Sequence, residues 1–324
     1  MQTVFITGAT GFIGRALCVR MLEKGWRVLG TFREKSFDRT LPAGVDGIQI
    51  EDIENCDYVR RELEGVDTLI HLAGRAHVMN DTASDPFGVF RKINVVGTER
   101  LARAAARAGV RKFIFVSSIK VNGESSQIPY TEKDVPAPQD PYGVSKYEAE
   151  QALQDIAAKT GIKTVILRPP LVYGPGVRAN FETLIKLVAR TLPLPLKNIY
   201  NRRSFIYLGN LTDAIFTSVV NPKADGEIFM VSDCRDISTP DLVRLIASAM
   251  GRKAALFSLP PALLRTLARV VGKGEELERL TGSLFVDTGK IMGVLNWKPP
   301  FTLEEGIKET VGGIEIASPP RGSQ

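Results

Sequence analysis

The chain has 324 residues, of which 44% are hydrophobic and 24% charged, so it is long enough for one large α/β unit or two closely packed domains. This composition excludes a disordered or fibrous protein. No run of Lys and Arg is interleaved with aromatic residues, so the net charge of +6 favours an anionic small-molecule ligand over nucleic acid.

Short apolar segments alternate with helical patterns over the first half of the chain. The predicted strands are TVFIT (Thr3 to Thr7), RVLGTF, GIQI, DTLIHLA, KFIFVSS and TVILR (Thr164 to Arg168), and the predicted helices include Phe12 to Lys24, Pro86 to Ala108 and Tyr142 to Lys159. Apolar strands that alternate with helices form a parallel sheet covered on both faces. The pattern therefore predicts an α/β fold with a Rossmann-type doubly wound parallel sheet.

The pattern of predicted elements changes after Arg168, where a Pro/Gly-rich loop is followed by mostly helical sequence. We expect residues 1–170 to form an NAD(P)-binding domain, to which segments around 205–231 return. Residues 171–311 are expected to form most of a smaller, mainly C-terminal substrate-binding lobe, and residues 312–324 a flexible tail. The stretch Leu259 to Gly272 reads as an amphipathic helix whose apolar face is turned to the core rather than to a membrane surface.

Three glycines, Gly8, Gly11 and Gly14, lie between the first strand and the first helix. Glycine permits a tight turn there and close approach of backbone N–H groups to a pyrophosphate, with Phe12 and Ile13 beginning the helix that faces the anion. The loop predicts nucleotide binding. Its GxxGxxG spacing resembles that of the extended short-chain dehydrogenases/reductases rather than the GxGxxG of other dehydrogenases.

That resemblance continues along the chain and implies further cofactor contacts. Asp52 and Ile53 match the segment that holds the adenine, and Leu72, Ala73 and Gly74 match the strand end beneath the adenosine. Asn94 resembles the residue that stabilises the active-site turn. His71 is more simply interpreted as a packed histidine.

The end of the second strand bears on the choice of cofactor. In UDP-glucose 4-epimerase, an extended short-chain enzyme, an Asp at this position binds both ribose hydroxyls, whereas this chain has Phe32 followed by Arg33. An arginine can pair with a 2′-phosphate, so NADP(H) is favoured and NAD is the alternative. Arg33 paired with Glu34 at the surface is the other interpretation.

Tyr142 and Lys146 lie four residues apart on a predicted helix, so their side chains share a face. A lysine one turn away and a cationic nicotinamide are expected to lower the pKa of the phenol and make it a usable acid and base. Ser118 aligns by resemblance with the catalytic hydroxyl residue. These three residues in the family's order predict hydride transfer at a carbon that bears an oxygen, with Lys146 also binding the nicotinamide ribose.

The segments RPPLVYGPG, NRRSFIYLGNLTDAI and VDTGKIMGVLNWKPPFTLEEGI resemble nucleotide-sugar epimerases, dehydratases and reductases up to about Thr310. The resemblance implies that Asn180 and Arg203 hold a substrate diphosphate, with Arg279 a weaker candidate. Ile119 and Lys120 stand where the 4,6-dehydratases carry an Asp-Glu pair, which disfavours dehydration.

The sequence therefore favours NADPH-dependent reduction at C4 of a UDP-4-keto-6-deoxy-N-acetylhexosamine, because the closest resemblance is to 4-reductases of bacterial surface-polysaccharide (O-antigen) synthesis. A UDP-sugar 4-epimerase with tightly bound NAD is the alternative. A non-catalytic dinucleotide sensor or scaffold and a reductase of non-nucleotide ketones are further alternatives.

Three well-separated cysteines with no CxxC or Cys/His cluster predict neither a disulfide framework nor a metal site, as in a reduced cytoplasmic protein. No signal-like segment and no apolar run long enough to span a membrane are apparent. The resemblance implies a homodimer.

Overall fold

The computed structural model describes residues 1–33, 41–53, 59, 61–76, 85–270 and 272–314. Within them a seven-stranded sheet has the order β3-β2-β1-β4-β5-β6-β9, and every neighbouring pair is parallel. Its strands are β1 (Thr3–Thr7), β2 (Arg27–Phe32), β3 (Asp46–Gln49), β4 (Thr68–His71), β5 (Lys112–Val116), β6 (Lys163–Arg168) and β9 (Ile228–Met230). The Rossmann-type doubly wound fold class is confirmed.

The strand order reverses between β1 and β4. From β1 the chain adds β2 and β3 on one side of the sheet, and from β4 it adds β5 and β6 on the other side. In open parallel sheets, ligands bind at the carboxyl ends of the strands beside such a reversal. Thr7 at the end of β1 pairs in register with His71 at the end of β4. The fold therefore places the glycine loop and the segment after β4 side by side.

Helices cover both faces of the sheet, as the apolar strands require. In chain order they are α1 (Phe12–Glu23), α2 (Pro86–Phe90), α3 (Gly97–Arg107), α4 (Pro141–Thr160), α5 (Ala179–Ala189), α6 (Leu208–Val220), α7 (Thr239–Ala249), α8 (Pro261–Val270), α9 (Gly274–Thr281), α10 (Gly289–Leu295) and α11 (Leu303–Gly312). A π-helical turn (Arg91–Val96) joins α2 to α3, and short 3₁₀ turns cover Ile119–Val121 and Pro222–Ala224. Side chains of α1 and α6 pack in one core on the sheet, and those of α3 and α4 in another.

The smaller lobe has its own apolar core beyond the carboxyl edge of the sheet. A two-stranded parallel sheet, β7 (Leu171–Tyr173) and β8 (Phe205–Tyr207), packs there with α5, α7 and α11. The stacked rings of Tyr173 and Phe181 lie in this core, and the Tyr173 hydroxyl donates to the buried carboxylate of Asp233 at 2.7 Å. The aromatic and aliphatic packing makes the smaller, mainly C-terminal lobe a compact unit.

The helix predicted over Leu259 to Gly272 is present as α8, and its apolar residues are divided between the core and the surface. Leu264 packs in the core of the smaller lobe, while Leu263 and Leu267 are 47% and 50% exposed. An amphipathic pattern shows which side chains share a face and does not show what that face contacts.

The domain boundaries stay predictions. Strand β9 does return to the main sheet, as expected for a segment around 205–231. The predicted tail 312–324 begins at the end of α11, and its residues 315–324 lie outside the described residues.

Candidate active site

The glycine loop makes the sharp connection from β1 to α1. Gly8 has a φ of +69°, a left-handed conformation that favours glycine. A Cβ on Gly14 would lie 2.1 Å from the carbonyl oxygen of Gly8, so the first turn of α1 packs directly on the loop backbone. The loop thus presents the N-terminus of a helix, with its unpaired N–H groups and partial positive charge, to the carboxyl edge of the sheet.

Ser118 and Tyr142 meet at the ends of two successive elements. Ser118 follows β5 and caps the 3₁₀ turn, where its Oγ accepts a hydrogen bond from Lys120 N at 3.2 Å. Tyr142 lies in the first turn of α4, which begins because Asp140 accepts from Gly143 N at 2.6 Å and Pro141 suits a first helical position. The Tyr142 and Ser118 side chains are hydrogen bonded.

Burial raises the pKa of Tyr142 to about 12, and the negative charge of Asp140 acts in the same direction. The hydrogen bond to Ser118 lowers it and only partly offsets the burial. This differs from the predicted lowering by Lys146, whose charge is not among the causes of the shift. The phenol as it stands is therefore a proton donor at neutral pH.

Lys146 is buried one helical turn after Tyr142 and points to the end of β5. Its ammonium donates to the Val116 carbonyl at 2.9 Å and lies 4.4 Å from the centroid of the Phe115 ring. Burial lowers the pKa of Lys146 to about 8, and the nearby Glu150 raises it. A Cβ on Gly74 would come within 3.8 Å of this ammonium, so the glycine keeps the space around it open.

One cleft of about 250 Å³ joins the glycine loop to the three catalytic candidates. From the predicted site the cleft is lined by Gly8, Gly11, Phe12, Ile13, Gly14, Leu72, Gly74, Ser118, Tyr142 and Lys146. Ser117 also lines it, and its Oγ is buried without a hydrogen-bond partner among the described residues.

These features fit a nicotinamide dinucleotide. The glycine loop packs so tightly that side chains at Gly8 and Gly14 would meet backbone, and it brings the N-terminus of α1, a favourable site for a pyrophosphate, to the cleft. The open space beside the Lys146 ammonium suits a ribose, and the unpaired Ser117 hydroxyl offers a hydrogen bond within the cleft. Phosphate, ribose and reacting groups can therefore lie along one continuous cleft.

Asn94 links the loop after β4 to α4. Its Oδ1 accepts from Arg75 N at 2.7 Å, and its Nδ2 donates to the Arg75 carbonyl at 3.0 Å and to Ser145 Oγ at 2.9 Å. Ser145 Oγ in turn donates to the Tyr142 carbonyl at 2.8 Å. Asn94 therefore stabilises the turn beside the cleft, as the resemblance implied.

The remaining predicted cofactor residues lie near the same edge without lining this cleft. Ala73 directly follows Leu72, and its backbone N would be 3.0 Å from a Cβ on Gly8. Asp52 and Ile53 follow the end of β3, and Arg33 follows β2. Both segments belong to the half of the sheet where an adenosine would extend from the pyrophosphate.

Two of the three predicted substrate residues, Arg203 and Arg279, are in contact. The guanidinium of Arg203 donates to the backbone carbonyls of Arg279 and of Gly282, the latter at 3.2 Å. Burial lowers the pKa of Arg203. Asn180 is exposed near the start of α5. None of the three is among the described residues that line the cleft.

Sequence reasoning missed several residues that line the cleft: Arg75, Ala76, Val116, Pro169, Pro170 and Val172. Pro169 and Pro170 directly follow β6, and Arg75 and Ala76 lie shortly after β4. Residues that follow parallel strands meet at one edge of the sheet. Applied to every predicted strand rather than to motifs alone, that rule identifies most of the missed residues.

The described residues hold no group of three or more His, Cys, Asp and Glu side chains placed to bind a metal ion. None of their helices combines the length and apolar character needed to cross a membrane.

Comparison with known proteins adds independent information. The model of the NAD dependent epimerase/dehydratase family matches residues 4–232. A UDP-glucose 4-epimerase of Vibrio cholerae is 39% identical over 314 residues, which are 95% of this chain and 94% of that protein.

Solved structures agree on the fold. The UDP-glucose 4-epimerase of Thermotoga maritima, solved with UDP-glucose, superposes with a TM-score of 0.77 at 24% identity, over 96% of this chain and 98% of that one. The UDP-glucuronic acid 4-epimerase of Bacillus cereus, solved with NAD, gives the same score and identity over 96% of each chain.

Proposed function

Because this chain belongs to the NAD dependent epimerase/dehydratase family, we propose that it inverts the configuration at C4 of a UDP-sugar with a tightly held NAD. The observation that carries the proposal is the single cleft that joins the glycine loop to Ser118, Tyr142 and Lys146. The similarity to a UDP-glucose 4-epimerase along 95% of the chain supports the same reaction. The relatives thus favour epimerisation over the net reduction that the sequence favoured.

Tyr142 is the proton-transfer group in this proposal. Its phenolic oxygen takes the proton of the C4 hydroxyl when the sugar is oxidised and returns it when the sugar is reduced. Ser118, hydrogen bonded to Tyr142, holds the C4 oxygen beside the phenol. Because burial raises the pKa of Tyr142 to about 12, the oxidation step needs added positive charge nearby, whereas the reduction step does not.

A cationic nicotinamide supplies that charge when it is bound, and Lys146 is fixed beside it by the Val116 carbonyl at 2.9 Å. In the proposed complex the ammonium also binds the nicotinamide ribose. A bound nicotinamide dinucleotide supplies the hydride acceptor for C4 and, once reduced, the hydride donor. An epimerase uses both capacities in one turnover, so the cofactor need not leave.

Lys120 supports the view that the chain does not dehydrate its substrate. Its ammonium lies 2.8 Å from a carboxylate oxygen of Glu124 and 2.5 Å from one of Asp140. Elimination of water needs an acid and a base beyond the tyrosine. A lysine held by two carboxylates next to Ser118 offers neither a free carboxylic acid nor a free base.

The substrate contacts are also part of the proposal. Asn180 and Arg203, with Arg279 as a weaker candidate, are assigned to the diphosphate of a UDP-sugar, because arginine suits a diphosphate in charge and geometry. Arg203 has to exchange at least one of its two carbonyl partners for a phosphate oxygen. A homodimer and a cytoplasmic location remain expectations from the resemblance.

The end of β2 favours a second candidate, NADPH-dependent reduction of a UDP-4-keto-6-deoxy-N-acetylhexosamine at C4 in surface-polysaccharide synthesis. Phe32 stands at the end of β2 and its ring lies 3.1 Å from where a Cβ on Gly47 would be, so it packs on β3. It offers no carboxylate to ribose hydroxyls. Arg33 follows on the exposed side and has the charge for a 2′-phosphate.

Two parallel incubations distinguish these candidates. In the first, the protein receives UDP-glucose or UDP-GlcNAc without added cofactor, and NMR measures the C4 configuration. In the second, it receives a UDP-4-keto-6-deoxy-hexosamine with NADPH, and the reduced-nicotinamide absorbance is followed. We expect inversion in the first and no sustained consumption in the second. Stoichiometric loss of NADPH without any inversion would refute the epimerase.

The substitution Tyr142→Phe removes the proton-transfer group, and we expect kcat for C4 inversion to fall about 10²–10⁴-fold. Tyr147→Phe is the matched control, because its hydroxyl lies on the same helix and accepts only a 3.3 Å bond from Gln151 in the described structure. Steady-state C4 inversion by both variants is the measurement. Full activity in Tyr142→Phe would instead support a non-catalytic dinucleotide-binding role.

Replacing Arg33→Ala tests the cofactor preference. If Arg33 binds a 2′-phosphate, the ratio of NADPH to NADH affinity, measured by fluorescence titration of the apoprotein, falls at least about tenfold. Arg27→Ala, at the opposite end of β2 and paired with Asp46, is the control. An unchanged ratio removes the case for NADP.

A further inference from the structure

The net charge of this chain arises from one segment of the smaller lobe. Residues 242–274 contain six of the 42 Lys and Arg residues and none of the 36 Asp and Glu residues. The rest of the sequence therefore has 36 basic and 36 acidic residues and is formally neutral. Arg244 is paired with Asp241 just outside the segment, so the other five basic residues produce the local positive potential.

The same segment exposes large apolar side chains. Leu263, Leu267 and Val270 lie one and two turns apart on α8, so they share a face, and they are 47%, 50% and 79% exposed. Phe257, before the helix, is 42% exposed, whereas Leu264 packs into the lobe. The exposed surface of α8 therefore has an apolar flank.

A neighbouring segment widens this surface. Leu194 N donates to the Ala255 carbonyl at 2.8 Å, and Lys197 N to the Phe257 carbonyl at 3.2 Å, which ties residues 194–197 to the chain before α8. Leu192 and Tyr200 flank this pairing and are 45% and 90% exposed. No acidic residue occurs between positions 183 and 200. We call residues 192–200, 253–270 and 272–273 together the basic-apolar surface.

Cations accompany the apolar groups on the basic-apolar surface. Its exposed basic residues are Lys197, Lys253, Arg265, Arg269 and Lys273. By helical period, Arg265 and Arg269 lie on the other flank of the exposed part of α8 from the leucines. Among the described residues none of the five pairs with a carboxylate, in contrast to Arg244, which lies 2.6 Å from Asp241.

We propose that the basic-apolar surface binds the face of an anionic phospholipid bilayer, with α8 lying in the interface. Helices that lie in membrane interfaces combine an apolar flank with cations and carry almost no acids. Leu263, Leu267 and Val270 enter the acyl-chain boundary, and the cations contact lipid phosphates. Tyr200 and Phe257 have the amphipathic or apolar rings found at headgroup depth.

Charge complementarity distinguishes this partner from others. A nucleic acid matches the cations but leaves the aliphatic leucines and valine without a stacking partner. In a two-fold contact between two copies of the chain, both surfaces carry the same positive charge and therefore repel each other. An anionic bilayer satisfies both the apolar and the cationic groups.

Vesicle cosedimentation of the full chain tests the proposal. The vesicles contain phosphatidylglycerol and phosphatidylcholine in equal parts, or phosphatidylcholine alone, at low and high NaCl. We expect binding to the anionic vesicles at least about tenfold tighter than to neutral ones, and weaker in high salt. The double variants Leu263→Gln/Leu267→Gln and Arg265→Gln/Arg269→Gln each lose at least about tenfold in apparent affinity.

Matched controls use exposed residues of the same types of side chain, apolar or basic, elsewhere on the protein. Ile128→Gln/Val135→Gln replaces apolar residues that are 70% and 84% exposed, and Arg107→Gln/Lys159→Gln removes two charges at helix ends. Both are expected to bind as the wild type does. Thermal unfolding verifies that every variant is folded, and C4 inversion of a free UDP-sugar is unchanged, which separates this test from that of the proposed reaction.

Absence of salt-sensitive binding to anionic vesicles overturns the proposal. So does a shift in oligomeric state, seen by light scattering, in Leu263→Gln/Leu267→Gln without any change in vesicle binding, because it assigns the surface to contact between copies.

Discussion

His71 shows how a single buried side chain supports the site without taking part in its chemistry. Its Nδ1 lies 2.7 Å from Thr7 Oγ1 and its Nε2 lies 2.9 Å from Thr98 Oγ1. Thr7 Oγ1 also accepts from Ala73 N at 3.1 Å, so the histidine fixes the loop that follows β4. The interpretation of His71 as a packed histidine is confirmed.

Acidification should destabilise the protein through His71. Burial lowers the pKa of His71 from 6.5 to about 3, with the charge of Lys146 acting in the same direction. Between these values the unfolded chain binds a proton that the folded chain does not, so stability rises with pH in this window and falls as pH drops through it. At pH 4 the loss from this residue is about 3 kcal/mol.

Urea unfolding of the wild type and of His71→Asn at pH 7 and pH 4 measures this effect. The variant cannot titrate in the window, so its free energy of unfolding should fall by about 3 kcal/mol less than that of the wild type. Equal losses in the two proteins would show that another group causes the acid sensitivity.

At the scale of elements, the connection from β1 to α1 is determined by its glycines. The sequence spacing located this loop and both elements within one residue, because the phosphate loop depends on local backbone geometry. The region Pro86 to Ala108 is continuous helical backbone, as predicted, but a π-helical turn lies between α2 and α3. The π turn includes Asn94, whose side chain holds the cleft loop. Apolar periodicity does not reveal a single extra residue in a helical turn.

Replacing Gly14→Ala should damage this connection. The new Cβ would lie 2.1 Å from the Gly8 carbonyl oxygen and 2.8 Å from Ala9 Cα, both backbone atoms. We expect a loss of about 1–3 kcal/mol in the free energy of unfolding and a lower content of bound dinucleotide.

Gly293→Ala in α10 is the control, since nothing lies within 4 Å of its Cβ position. Alanine there should stabilise the protein by about 0.5–1 kcal/mol. Chemical denaturation and chromatography of the released nucleotide provide both readouts. Equal stability of the two variants would contradict the close packing of the loop.

At the scale of the whole molecule, a buried ion pair joins parts of the chain that supply different candidate catalytic residues. Arg168 at the end of β6 binds both carboxylate oxygens of Glu150 on α4, with side chains only 3% and 2% exposed. Its remaining nitrogen donates to Asn122 at 3.0 Å, in the turn that follows Ser118. This network holds the helix of Tyr142 and Lys146 against the turn of Ser118.

Replacing Glu150→Gln leaves the buried guanidinium charge uncompensated and should cost about 3–5 kcal/mol in the free energy of unfolding. Glu99→Gln breaks the exposed pair with Arg103, whose side chains are 39% and 43% exposed, and should cost less than about 1 kcal/mol. Denaturant unfolding of both variants is the measurement. Similar small losses would mean that the buried network does not stabilise the fold.

The sequence alone determined the fold class, the glycine loop and the order of Ser118, Tyr142 and Lys146. These features depend on local periodicity and on residue types at fixed spacing, which are visible without coordinates. Tertiary structure decided what each side chain faces. It exposed the apolar flank of α8, turned Arg203 to backbone carbonyls and buried Tyr142 so that its pKa rises rather than falls. Burial and hydrogen-bond partners come from elements that are distant in the chain, so local pattern cannot specify them.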